Sequence, residues 1–197
     1  MTKRWTCLAG LAVAAVGAIA VAAWADGKKE EKVSIDQVPA AVKATIQAVG
    51  TVQEEVGLKG ARTSAFGLSP DVAIATDVTI PGDHPGVSKN ECHVCAGKGP
   101  SITILDAGGR GVIAPRPVVR WLRESAERES IPHQFSVGDG GNTDATAINI
   151  TKAGIPCGVI CVPARYIHSP VEVLSLRDLD NGAALIAAAI ERVHEYF

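Results

Sequence analysis

Apolar and polar positions fall into three regimes along the chain. Residues 1–25 begin with Lys3 and Arg4, continue through an Ala-, Val- and Gly-rich run, and close on Ala23-Trp24-Ala25. A basic start, an apolar run and a small-x-small site together predict a secretory signal peptide. An uncleaved anchor is the alternative, because the run approaches the length of a membrane span. Residues 26–34 are polar and charged and predict a linker. Val38, Ala41, Val42 and Ile46 then recur on one helical face, with Asp36 placed to cap it. That spacing predicts a short amphipathic helix over 34–46.

From residue 48 onward, short apolar runs alternate with stretches of helical period. The runs at 48–52, 72–78, 101–105, 134–137, 158–162 and 171–175 predict strands. The stretches at 57–66, 117–129, 144–153 and 179–197 predict helices. In the last, Leu179, Ala183, Ile186, Ile190 and Val193 share one face. Alternation of this kind predicts an α/β fold with a mostly parallel sheet and helices on its faces. The chain then divides into a signal peptide (1–25), a linker with one helix (26–47) and a folded domain (48–197). No other segment reads as a membrane span.

Composition narrows the function. Hydrophobic residues make up 47% of the chain and charged residues 20%, which excludes a disordered charged tail. A net charge of −2, with three Trp, two Tyr and three Phe, excludes a nucleic-acid binder of the basic-patch type. Export would place Cys92, Cys95, Cys157 and Cys161 in an oxidising compartment, where they could pair or stay as ordinary thiols. Cys92-His93-Val94-Cys95 has the spacing of a redox pair or of half a zinc site.

Candidate chemistry gathers at predicted strand ends. Glu54 and Glu55 follow the first predicted strand, and open α/β sheets bind ligands at the carboxyl ends of their strands. Of two adjacent carboxylates, one can ligate a metal while the other moves a proton. A solvated acidic pair at a helix N-terminus is the plain alternative. Asp77 closes an apolar run, where a carboxylate is costly unless paired or metal-bound. His168 follows the 158–162 run, and a neutral imidazole is a common zinc ligand. Gly138-Asp139-Gly140-Gly141-Asn142-Thr143-Asp144-Ala145 is a glycine-rich turn into a helix, without the Lys-Ser/Thr of a phosphate loop. It serves as a helix cap through Asp144 or as the wall of a substrate pocket.

The strings TVQEEVGLKGA, PDVAIATDVTIPGDHPG, GKGPSI, GGNTDA and RYIHSPVEVLSLRDLDN occur in order from Val49 to Phe197. Together they resemble the C-terminal half of the glutamyl aminopeptidase/cellulase-M-like metallopeptidases, which include the tetrahedral aminopeptidases. The resemblance implies a partial αβα sandwich of the zinc-peptidase type, without the N-terminal strands and the oligomerisation domain. It implies two divalent metal ions, zinc or cobalt, and a peptide substrate that loses its N-terminal residue. Glu54 would be the general base that carries a proton to the leaving amine. Glu55 and His168 would ligate one metal and Asp77 the other, with Gly140, Gly141, Thr143 and Asp144 flanking the substrate. The family's first metal-binding His and its bridging Asp lie upstream of the Glu pair. In this chain no His precedes His84, and only Asp26 and Asp36 precede Glu54. His84, His93 and His133 are the substitutes at hand, or another chain supplies the ligands.

Three readings follow. The first is an exported metalloaminopeptidase. The second is a non-catalytic remnant that holds one metal through Glu55 and His168, or associates with itself or with a complete paralogue. The third is a binding module, because the 34–46 helix resembles the start of exported PepSY-like domains. With the signal peptide removed, no stable membrane span is expected, and the compartment is periplasmic or extracellular.

Overall fold

The structure is a computed structural model and describes residues 42–88, 90–138 and 140–197. The predicted signal peptide, the linker and most of the 34–46 helix lie outside the described residues. The last part of that helix, 42–46, is not helical, and Ile46 is 43% exposed with no face to pack on.

After an irregular stretch come α1 (Lys59–Leu68), β1 (Ala73–Thr79), β2 (Ser101–Leu105), α2 (Arg116–Arg128), β3 (Gln134–Val137), α3 (Asp144–Asn149), β4 (Cys157–Arg165), β5 (Val173–Leu174) and α4 (Leu176–Arg192). The sheet order is β1-β4-β2-β3, with β5 beside β4. β1 runs parallel to β4 over seven residue pairs, from Ala73 opposite Cys157 to Thr79 opposite Pro163. β2 runs parallel to β3. A short antiparallel junction joins β2 to β4, and β5 is antiparallel too. The sheet is thus dominated by parallel ladders, as its alternating sequence pattern predicts.

β4 is the spine. Its side chains alternate between two cores, as a strand of period two requires. Ile160 joins Ile102, Val118, Trp121, Leu122, Leu185 and Ala189 under α2 and α4. Cys157, Val159 and Cys161 join Ala65, Ala75, Val112 and Ala145 under α1 and α3. Helices therefore cover both faces, which is the αβα layering. Trp121 ties the first layer by donating its indole N–H to the Ala189 carbonyl at 2.8 Å. Among the described residues, no helix is long and apolar enough to cross a membrane.

Several boundaries differ from the sequence pattern. The predicted strand at 48–52 is irregular chain: the Val52 carbonyl accepts the Gly60 N–H at 2.9 Å, so that group is taken by α1 rather than by a neighbouring strand. α3 stops at Asn149 instead of reaching 153, because Lys152 (φ 55°) and Gly154 (φ 97°) turn the chain left-handed. β4 is longer than predicted and β5 shorter. α4 starts three residues early, at a cap where Ser175 Oγ accepts the Asp178 N–H at 3.3 Å. The thiols of Cys92, Cys95, Cys157 and Cys161 are unbridged.

Asp178 also explains the GKGP string. Its fully buried carboxylate accepts the N–H groups of Gly97 at 2.6 Å and Gly99 at 2.9 Å. Gly99 has φ 99°, and a Cβ there would lie 2.2 Å from the Pro132 carbonyl oxygen. Only glycine fits that approach. The other end of the same loop is tied by Asp83, which pairs with Arg165 at the end of β4 and accepts the Ala96 N–H. Truncating Asp178 to Ala leaves two amides without their acceptor, at about 1–3 kcal/mol for each one left unsatisfied. Urea unfolding of Asp178→Ala is therefore expected to show a loss of about 2–6 kcal/mol. A loss under about 0.5 kcal/mol, the size of an ordinary surface change, would contradict this role.

Candidate metal centre

Glu54 and Glu55 sit on a tight turn between the irregular stretch and α1. The Glu54 carbonyl accepts the N–H groups of Gly57 at 3.1 Å and Leu58 at 2.9 Å. Gln53 (φ 59°), Gly57 (φ 113°) and Leu58 (φ 55°) all adopt left-handed backbone around it. Such conformations are costly away from glycine and persist where the surroundings impose them. His168 lies in the loop after β4, also left-handed at φ 61°. Its Nε2 is 3.1 Å from Glu55 Oε1, and both side chains are half or more exposed. The two strained turns thus present one carboxylate and one imidazole to each other at the surface.

Asp77 stands in β1 opposite Cys161 of β4, and its Oδ1 accepts the Val78 N–H at 2.7 Å. Asp144 opens α3 at only 3% exposure. Its Oδ2 accepts the Thr51 hydroxyl at 2.6 Å, while its Oδ1 is buried without a partner. Asp106, just after β2, has a buried Oδ2 in the same condition.

These groups feel one another. The Glu54 carboxyl is pushed up to about 7 by burial, then by the charges of Asp77, Asp144 and Glu55, with His168 pulling the other way. Asp77 is pushed up to about 6 by burial and by Asp144 and Glu55, against the Val78 N–H and His168. Asp106 is raised to about 6 by burial and by Asp77. Burial also raises Asp144, and the Thr51 hydroxyl opposes it.

A crowd of carboxylates with unsatisfied buried oxygens suits a divalent cation, which removes their repulsion. The Glu55–His168 pair offers it an oxygen and a nitrogen donor on an open face. Among the described residues, no three His, Cys, Asp or Glu form a ready-made cage. Asp77 acts on the pair through its charge rather than by touching it. The clefts between α1 and α3 and beside Pro156 include none of these groups.

The remaining candidates lie at differing distances from this centre. Thr143 is the first flank of α3, buried, with no partner for its hydroxyl. Gly141 has φ 79°, and Gly140 faces open space, so the glycine turn borders the cluster through Asp144. His84 packs on Tyr166 with ring centres 4.9 Å apart and the planes tilted by 59°, and Tyr166 is two residues from His168. His133 packs against Phe135 instead. Sequence reasoning missed Thr51 and Asp106. Asp106 carries the signal that marked Asp77, a carboxylate closing an apolar run. Thr51 carries none, because its partner is 93 residues away.

Comparison with known proteins gives the family. A family model described as M42 glutamyl aminopeptidase matches residues 32–185. The structure is similar to the aminopeptidase APDkam598 from the archaeon Desulfurococcus kamchatkensis, with 54% identity and a TM-score of 0.69, covering 72% of this chain and 40% of that one. It is similar to the Pyrococcus horikoshii TET1 peptidase, at 38% identity and a TM-score of 0.59, over 70% of this chain and 38% of that one. The TET1 peptidase can assemble into a tetrahedron or a large octahedral shell. A lysyl aminopeptidase of Pyrococcus furiosus is 36% identical over 155 residues, 77% of this chain and 42% of the relative. The chain therefore spans about two fifths of the length of these relatives.

The raised carboxyls have a measurable consequence in chelator-treated protein. Between the ordinary value of 4.5 and about 7 for Glu54, and between 3.8 and about 6 for Asp77, the folded chain holds more protons than the unfolded chain. Stability therefore falls as pH rises through that window. Urea midpoints measured from pH 4 to 8 are expected to decline, and Glu54→Gln to flatten the upper part of the slope. A midpoint that rises over the same range would contradict the assignment.

Proposed function

The chain belongs to the M42 glutamyl aminopeptidase family, and from that membership we propose that it is a metal-dependent aminopeptidase that removes N-terminal residues from peptides. The observation that carries this reading is the approach of Glu55 to His168 beside Glu54, on two turns held in left-handed backbone. Glu55 and His168 hold a divalent cation, zinc or cobalt. When bound, it supplies a Lewis acid for the peptide carbonyl. Glu54, next in the chain and half-buried, takes a proton from the attacking water and returns it to the leaving amine. Asp77 adds negative charge that favours the cation, and stands ready as a ligand of a second one. Asp144 and the turn at Gly140 and Gly141 border the substrate, with Thr143 behind them.

A second reading has its own support. With no three-ligand cage among the described residues, the chain binds a single cation without turnover, or completes its site by association. Self-association fits the assembly behaviour of the TET1 peptidase. It also fits the exposed Phe135 and Val137 on β3, the last strand in the sheet order. Export by the predicted signal peptide remains part of this proposal.

Two measurements test it. The full chain with added zinc or cobalt is expected to release amino acids from chromogenic aminoacyl substrates, and Glu54→Gln to lower kcat by about 10²- to 10⁴-fold, the size of a lost general base. Equal activity in Glu54→Gln would sink the role of Glu54, and no activity from folded chain would favour the second reading. Glu55→Ala and His168→Ala are each expected to weaken zinc binding in a chelator competition. Zinc bound equally well by both variants would remove the metal assignment.

A further inference from the structure

The Glu54–Glu55 turn is held by contacts that no catalytic role requires. Three consecutive residues precede Glu54, and each is fixed differently. The Thr51 hydroxyl donates to the buried Asp144 carboxylate at 2.6 Å and so anchors the irregular stretch to the start of α3. The backbone of Val52 lies flat on Gly60 of α1. The Gly60 N–H donates to the Val52 carbonyl at 2.9 Å, and a Cβ on Gly60 would sit 2.4 Å from Val52 N and 2.6 Å from Val52 O. Gln53 is then forced to φ 59°, and its carbonyl accepts the Lys59 N–H at 3.3 Å. A non-glycine residue keeps such backbone where its neighbours over-determine it.

We propose that Thr51 is a positioning residue, which with Gly60 clamps the left-handed Gln53 turn and sets the placement of Glu54 and Glu55 opposite His168. This deepens the reading of the site as a metal centre and rests on it for its functional effect. The clamp itself is a property of the fold. The chemistry explains the residue types. A hydroxyl donor is needed at 51 because Asp144 Oδ2 is an acceptor in a buried place, where a lost partner is costly. Glycine is needed at 60 because the approaching atoms are backbone and cannot swing aside. Thr51 touches neither a metal nor a substrate. Its effect passes through the angle at which the turn presents Glu55, and metal sites are sensitive to such support.

The test uses the full chain and the variants Thr51→Val, Thr51→Ser and Gly60→Ala. Zinc affinity by chelator competition is expected to fall about tenfold in Thr51→Val, the low end for supporting residues of a metal site. Thr51→Ser, which keeps the donor, should stay within about twofold of the parent, since it preserves the same hydrogen bond. Where turnover is measurable, Thr51→Val should lower kcat, because the turn carries the base, and Thr51→Ser should restore it by keeping the hydrogen bond to Asp144. Amide hydrogen exchange gives a readout independent of zinc: protection at Leu58 and Gly60 should drop in Thr51→Val and Gly60→Ala and hold in Thr51→Ser. If the parent binds no zinc, the metal reading fails while the exchange data still decide the clamp. Unchanged protection in Thr51→Val, or equal zinc affinity in Thr51→Val and the parent, overturns the proposal. So does a Thr51→Ser variant as impaired as Thr51→Val.

Discussion

Carboxylates taken out of water and set near one another are the constraint on which this site depends. The Glu54–Glu55 pair, Asp77 and Asp144 come from three separate places in the sequence, and burial first, then their neighbouring charges, raises Glu54 and Asp77 well above the usual carboxylate range. Left alone, such a cluster destabilises the chain that forms it. The structure answers with rigid supports on every side. β4, buried on both faces, carries Asp77 beside it through a seven-pair parallel ladder. Asp144 is fixed by Thr51 and by the first turn of α3. His168 is placed by the loop that follows β4, whose end is pinned to Asp83 through Arg165.

Crowded like charges of this kind are relieved by a cation or a proton. The buried oxygens of Asp144 and Asp106 without partners point the same way, because a buried acceptor left unpaired calls for an unfilled role. Family membership supplies the chemistry in which that role makes sense. Glu55 and His168 approach each other at an open, exposed face.

Much of this was legible in the sequence, and the exceptions share one cause. β1, β2 and the helices α1, α2 and α4 follow from periodicity because their apolar positions pack into the two cores, while β3 forms within its expected bounds with Phe135 and Val137 exposed. The 48–52 run failed as a strand because its carbonyl at Val52 is used by Gly60, a contact set by how α1 folds back. α3 ended early at backbone that two left-handed residues impose. Within the candidate site, residue type and position left a plain alternative for Glu54, Glu55, Asp77 and His168, and it was the resemblance to the family's ordered motifs that grouped them. Thr51 was not legible, because a hydroxyl becomes informative only once a partner distant in sequence is placed against it. The strain at Gln53 and His168 was also invisible, since neither residue type announces a left-handed turn. The expected ligand set was only partly assembled: the imidazole meets one carboxylate, and Asp77 contributes by its field.

Zinc X-ray absorption of the metal-loaded full chain tests the central claim most directly, because it reads the donor atoms themselves. The account predicts a first shell of oxygen and nitrogen at about 2.0–2.2 Å with an imidazole signature, lost in His168→Ala. A shell containing sulfur at about 2.3 Å would place the metal on Cys92 and Cys95 and contradict the assignment to Glu55 and His168.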